Sequence, residues 1–404
     1  MQTTTMKDIA GANSVASQAS LKSRIRASLY GVALGDALGA PVEKLTAAEI
    51  RQQYGRVTGL ATEWFRKDES EDERQGRIRG NGIVTDDTLM TICLTKVYGK
   101  ARRHLDAWDM ATEMVRQIGW ERRWIPELQR ETQLIERLFY PEKWIFIRHQ
   151  LAPCEPREGG IGNMVNCGAA MYMAPVGLAN ACDPRAAYDE AIDFASGHQH
   201  SYGLEAAGAM AAAVAAAMIP GTDIETVVET TIALSKDGTR NAIRDIADVA
   251  LRLRGQDHAT VTAAFHEVIG RYSSMGDDTR RHPEMAGVPT DNYQPSRLRA
   301  IEELPIALGF CLVNRGEFRT SVLDGVNSGR DTDSIGSMVG AILGALHGEA
   351  VIEDADLRML NEANRFDLLA IADEFYDTVK DLMAQDRERT EVRDRHRRAL
   401  MEPA

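Results

Sequence analysis

Four aspartates in two short stretches carry the strongest chemical signal in this chain. Asp331 and Asp333 stand two positions apart in Arg330-Asp-Thr-Asp-Ser-Ile335, directly before a run of small residues, and Asp86 and Asp87 are adjacent in Thr85-Asp-Asp-Thr88. In an extended segment a spacing of two points both side chains to one side. Two converging carboxylates need a counter-charge. A hard divalent cation, which prefers oxygen ligands, can supply it, and so can the amide groups and dipole of a helix N-terminus. The first stretch alone leaves capping and metal binding open. The second favours the metal, because one capping residue suffices per helix and Thr85 already suits that place.

The elements that must position these acids are helices. Leu21 to Gly39 has helical apolar spacing, with Gly31, Gly35 and Gly39 at every fourth position, Asp36 among apolar neighbours, and Pro41 ending the helix before Glu43. Gly336, Gly340 and Gly344 repeat the stripe after the Asp331 motif. Glycine costs about 1 kcal/mol against alanine inside a helix, so such stripes point to close backbone packing. Two such helices would bring the loops at their ends together. Asp36 alone reads as a hydrogen-bonded buried carboxylate and Glu43 alone as a loop acid.

Residues 100 to 150 read as two or three amphipathic helices, with Trp120, Trp124, Tyr140 and Trp144 more at home in a core than in a binding cleft. The glycine loop from Glu158 leads through Asn166 and Gly168 into a small-residue segment, where backbone N–H groups can approach a ligand; no Walker lysine accompanies it. His198 and His200 lack a third ligand with zinc spacing and read as loop residues available to a ligand. Glu302 and Glu303 read as first-turn residues favoured by the helix dipole. No alternating strand set is visible, so the expected fold is all-α: a tail over 1–20, one domain over 21–384 and a charged tail over 385–404, with residues 272–295 as a loop.

Composition narrows the function classes. The chain has 404 residues, 44% of them hydrophobic, and a net charge of -13 with a pI near 5.3. That size allows a large core, and the acidic balance argues against nucleic-acid binding. The longest apolar run, around Ala206–Ile219, is short of the roughly 20 residues that span a bilayer. No membrane partner is expected. Cys93, Cys154, Cys167, Cys182 and Cys311 lack metal-ribbon or disulfide spacing and read as reduced. A cytoplasmic location is the default expectation, and oligomeric state is left open.

Taken together, Gly31-Val-Ala-Leu-Gly-Asp-Ala-Leu-Gly-Ala-Pro-Val-Glu43, Thr85-Asp-Asp-Thr88, Gly197-His-Gln-His200 and Arg330-Asp-Thr-Asp-Ser-Ile335 resemble the ADP-ribosylglycohydrolase family. The resemblance implies a multi-helix fold with a central binuclear cleft holding two magnesium ions, manganese being compatible. It implies Thr85, Asp86, Asp87, Asp331, Asp333 and Ser334 as metal ligands, and Glu43, Asp86 and Asp331 as catalytic. Asn166, Gly168, His198, His200 and Arg330 become the substrate contacts. The implied activity is hydrolysis at the ribose anomeric carbon of an ADP-ribosylated protein or small ADP-ribosyl compound. A nucleoside or other N-ribosyl metabolite is the alternative substrate, and a non-catalytic ADP-ribose-binding or crystallin-like role the third reading. Two departures bear on substrate: Tyr172 follows Ala170-Met171 where many relatives have arginine, and Arg330 stands where many have glycine.

Overall fold

The computed structural model describes residues 19–138, 140–152, 154–272 and 297–401, and it is almost entirely helical. The helices that build the site are α1 (Leu21–Gly39), α2 (Asp86–Ala101), α3 (Tyr140–Leu151), α4 (Ser201–Ala217), α5 (Arg297–Val313), α6 (Thr332–His347) and α7 (Leu368–Met401). The 1–18 part of the expected tail, the loop 273–296 and the Tyr140 side chain lie outside the described residues.

α1 and α6 form the centre. Both are buried along nearly their whole length, which is why neither is strongly amphipathic. They run antiparallel with backbones in contact: a Cβ placed on Gly31 would lie 2.0 Å from the Gly340 carbonyl oxygen, and one on Gly35 2.1 Å from that of Gly336. Ser28 Oγ donates to Ala341 O (3.0 Å) and Thr332 Oγ1 to Gly39 O (2.8 Å), so hydroxyls tie the pair at both ends. The glycine stripes thus do what their spacing suggested. The stretch Thr332–Val351 is long and apolar enough to cross a membrane by composition, yet 72% of its apolar window is buried inside the protein. At the far end of the pair Arg24 donates to Ala217 O (2.9 Å) and Ala345 O (2.7 Å), neutralising the carbonyl ends of α4 and α6 with one buried guanidinium.

The segment between residues 100 and 150 departs from its helical expectation. Strands β1 (Arg122–Ile125) and β2 (Arg130–Gln133) pair antiparallel, Arg122 opposite Gln133 and Ile125 opposite Arg130. Pro126 stops any helix there and opens the turn of the hairpin. The tryptophans also differ from expectation. Trp120 and Trp144 are 62% and 53% exposed, and half-buried Trp124 lies under the Arg365 guanidinium, 3.4 Å from its ring centroid. α7 continues through residue 385 to Met401; its last buried residue is Leu382, and Asp386 beyond it bonds His104.

Candidate functional site

Three helix ends meet at one place because α1 holds them there. Asp36, from inside the glycine stripe, accepts from the Thr85 N–H (2.9 Å), the Thr88 N–H (3.1 Å) and the Thr88 hydroxyl (2.5 Å). This buried carboxylate is the cap of α2, and Thr85 caps nothing with its own side chain. Burial pushes Asp36 up to about 6, held down by its bonds to Thr88 and Thr85. Asp331, the residue before α6, makes no side-chain capping bond either. The exit of α1 is stitched to the entry of α6 by backbone bonds, Lys44 N–H to Arg330 O (2.7 Å) and Arg330 N–H to Leu45 O (2.7 Å). That ladder places Glu43 beside Asp331 and Asp333. Arg330 adopts φ +70 to make it, and a Cβ on neighbouring Gly329 (φ +84) would clash with Ala47 N at 2.5 Å. The glycine there is dictated by the crossing.

The acids therefore gather with few of their oxygens used by the helix termini, Asp333 Oδ1 accepting from the Ser334 N–H at 3.2 Å. One oxygen each from Glu43, Asp331 and Asp333 lie within 4.8 Å of one another, and so do Cys167 Sγ with oxygens of Glu303 and Asp331. Asp87 is 2% exposed, and its Oδ1 has no hydrogen-bond partner; the Thr85 hydroxyl donates to its Oδ2 at 3.4 Å. Burial, with Asp36, Asp86 and Asp331 nearby, raises Asp87 well above the usual carboxylate range. Burial, with Glu43, Asp331 and Asp87, does the same to Asp333. An uncompensated buried carboxylate is costly. The donor set, oxygen-rich and short of positive charge at its centre, fits a divalent cation.

Around this centre runs a buried chain of alternating charge. Arg79 bridges Glu43 and Glu127, the latter from Nε at 2.7 Å, and Arg137 bridges Glu127 and Asp86. Burial alone would raise Glu43, but Lys44 and Arg79 outweigh it and hold this carboxylate well below its ordinary range. Burial also opposes ionisation of Glu127, yet Arg137 and Arg79 bring it down to about 2. Asp86, whose pKa burial raises against the pull of Arg137, faces that arginine and joins neither three-residue cluster.

Of the expected substrate contacts, Asn166, Gly168 and Arg330 stand close to the acids and the histidines stand behind. Asn166 Oδ1 accepts from the Gly168 N–H (2.9 Å) and from Gln199 Nε2 (2.8 Å), which fixes the loop beside Cys167. A side chain on Gly168 would meet Asn166 Oδ1 and Glu142 Oε1, each at 2.8 Å. His198 is not available to a ligand. It is fully buried, with Nδ1 2.9 Å from the Tyr172 hydroxyl and Nε2 against Glu142. Tyr172 thereby belongs to a buried relay that supports the loop. His200 pairs Nε2 with Asn163 O (3.0 Å), again holding the loop. Arg330 forks onto Glu302, with Nη2 to Oε2 at 3.0 Å. Glu302 and Glu303 are buried beside the cluster on the second turn of α5, and the first-turn reading is corrected: their burial suits paired acids at a site, not solvated dipole partners. Sequence reasoning missed Arg79, Glu127, Arg137, Cys167 and Glu303, which reach the site from separate elements and share no local pattern.

A helical fold with two aspartate-bearing helix starts facing one another across a glycine-packed pair defines a class of hydrolase. A model of the ADP-ribosylglycohydrolase family matches residues 17–388, and the chain belongs to that family. It is 26% identical over 359 residues to an uncharacterised protein, YegU, of Escherichia coli (strain K12), covering 85% of this chain and 93% of the relative. An uncharacterised protein of Archaeoglobus fulgidus is 25% identical over 338 residues, covering 80% and 88%. Among solved structures, a chain of an ADP-ribosylglycohydrolase-related protein complex superposes with a TM-score of 0.53 at 19% identity, over 89% of this chain and 99% of that one, which shows the shared fold.

Proposed function

We propose that the protein is a magnesium-dependent glycohydrolase that cleaves the bond at the ribose anomeric carbon of an ADP-ribosylated protein or a small ADP-ribosyl compound. One observation carries this reading: neither Thr85 nor Asp331 caps its helix with its side chain, oxygens of Glu43, Asp331 and Asp333 converge within 4.8 Å, and Asp87 Oδ1 is buried without a hydrogen-bond partner. Glu43, Asp331, Asp333, Asp87, Thr85 and Ser334 would hold two magnesium ions, with Asp86 at the edge. Bound divalent cations supply Lewis acidity and fixed positive charge that position water and ribose hydroxyls.

The residues divide the remaining work. Kept ionised by Arg79 and Lys44, Glu43 orients the attacking water, whose proton passes to the leaving group as the bond at the anomeric carbon breaks. Asp86 and Asp331, both partly exposed, stabilise the positive charge that grows on the ribose ring. The loop through Asn166 and Gly168 offers backbone N–H groups to the substrate, and Arg330 offers a guanidinium at the rim. Tyr172 favours keeping a nucleoside or other N-ribosyl substrate as the second reading. Where many relatives carry arginine, this uncharged side chain is turned into the relay with His198 and brings no positive charge for phosphates.

The test is release of ribosyl product from ADP-ribosyl-arginine and from a nucleoside panel, with magnesium and with chelator. Magnesium-dependent release of ADP-ribose, lost by at least a thousandfold in Asp331→Ala, is the expected result. Cleavage of nucleosides alone would move the substrate to the second reading. Metal-independent activity, or an active Asp331→Ala, would overturn the proposal.

A further inference from the structure

We infer that Cys167, Glu303 and Asp331 form a cation position distinct in chemistry from the all-oxygen one, and that its thiolate selects a borderline-soft transition metal, zinc above all, over magnesium. This rests on the metal-dependent reading of the site and adds a sulfur-bearing position beside its all-oxygen one.

The two clusters share Asp331 and otherwise differ. Glu43 and Asp333 complete one with carboxylate oxygen alone, and Cys167 and Glu303 complete the other. Sulfur is a poor ligand for magnesium and a good one for zinc, cobalt and iron. The spacing suits a shared ion. Tetrahedral zinc, with sulfur and oxygen bonds of about 2.3 and 2.1 Å, separates those ligands by about 3.5 Å. Cys167 Sγ lies 3.3 Å from Asp331 Oδ2 and 3.5 Å from Ser334 Oγ. Cys167 is 5% exposed and Glu303 1%, so both are held in place by packing. Asp87 Oδ1, buried without a hydrogen-bond partner, marks a further uncompensated acceptor at the neighbouring start of α2. On binding, the sulfur–metal bond forms as the thiol proton leaves to solvent. Asp331 then bridges a zinc-class ion and a magnesium-class ion.

The purified full-length chain, stripped by chelator, is titrated with cobalt(II) and followed by absorption. The expected result is a thiolate-to-cobalt charge-transfer band in the near ultraviolet, bleached by equimolar zinc and unaffected by a large excess of magnesium. Cys167→Ser should lack the band, bind zinc at least tenfold more weakly and keep its magnesium affinity. Glu303→Gln should weaken zinc as well, and Asp333→Asn should keep the band while losing magnesium. Circular dichroism of each variant checks that it folds. Cobalt binding without the band, or unchanged zinc affinity in folded Cys167→Ser, would show that the thiol is only a hydrogen-bonded neighbour and would overturn the inference while leaving a magnesium site intact. Failure of every cation to bind, with Asp331→Ala behaving as wild type, would remove the metal-dependent reading itself.

Discussion

Asp36 shows how a single buried carboxylate frees two others. By accepting from two N–H groups and a hydroxyl at the start of α2, it takes over the cap that Thr85 was expected to supply, so Asp86 and Asp87 are left for charge chemistry. Asp36→Ala would strand buried donors and should cost roughly 2–3 kcal/mol in urea unfolding; Asp36→Asn, which keeps one carbonyl acceptor, should cost less. Glu127 is the corresponding keystone outside the centre, fully buried between Arg79 and Arg137. Its replacement by alanine leaves two buried guanidiniums sharing Glu43 and Asp86, and about 3–5 kcal/mol of stability should be lost. A variant as stable as the wild type would show that solvent compensates those arginines. The paired aspartates were legible because their information is local: two acids before a small-residue helix can be read off the chain. Arg79, Glu127 and Glu303 were not, since each is an ordinary charged residue until folding brings it to the site from a separate element. The histidines misled for a related reason. A Gly-His-Gln-His turn before a helix looks open in sequence, and only the packing of Glu142 and Tyr172 around His198 closes it.

Among the elements, the α1–α6 pair is where sequence and structure coincide most closely. Two glycine stripes with a four-residue period specify a contact that no larger residue fits, and that contact fixes which loop ends meet. Gly340→Ala would place a methyl group about where Gly31 O now sits, 2.0 Å from the added carbon. Because the obstacle is backbone, the helices must move apart, and a loss of about 3 kcal/mol or more is expected, beyond the usual range for overpacking against side chains. Magnesium affinity should fall with it, since Glu43 and Asp331 separate when the helices do. Gly99→Ala is the matched control. On α2 an added Cβ there meets only Thr378 Oγ1, at 4.0 Å, so the helix should gain about 0.5–1 kcal/mol from reduced backbone entropy. Thermal unfolding of the two variants side by side separates close packing from helix propensity. The hairpin β1–β2 was illegible on the same scale. Its strands are four residues each, Arg-Arg-Trp-Ile and Arg-Glu-Thr-Gln, too short and too polar to show alternation, and what pins them is Glu127 between them reaching the buried arginines.

At the scale of the whole molecule, the helical class and the mixed-charge character of the C-terminal run are written in composition, but the way that run is fastened to the body is not. α7 crosses the start of residues 102–105 and is held by His104, whose Nε2 lies 2.9 Å from Asp386 Oδ2 and whose Nδ1 lies 2.6 Å from Glu190 Oε2; Arg102 adds a bond to Thr378 Oγ1 at 2.9 Å. Burial disfavours the imidazolium, but Glu190 and Asp386 outweigh it and raise His104 to about 9. The unfolded chain binds that proton only below about 6.5. A folded pKa above the unfolded one means that the pairing contributes fully below about pH 6.5 and is lost as pH rises through about 9. Urea unfolding of the wild type and of His104→Gln at pH 6, 7.5 and 9.5 reads this directly. The wild type should exceed the variant most at pH 6 and by progressively less on the alkaline side, and Asp386→Asn should shrink the gap by removing one of the two carboxylates. A gap that stays constant across that range would mean that His104 is neutral throughout and that α7 is held by packing, by Arg102 and by the Arg26–Asp373 pair instead.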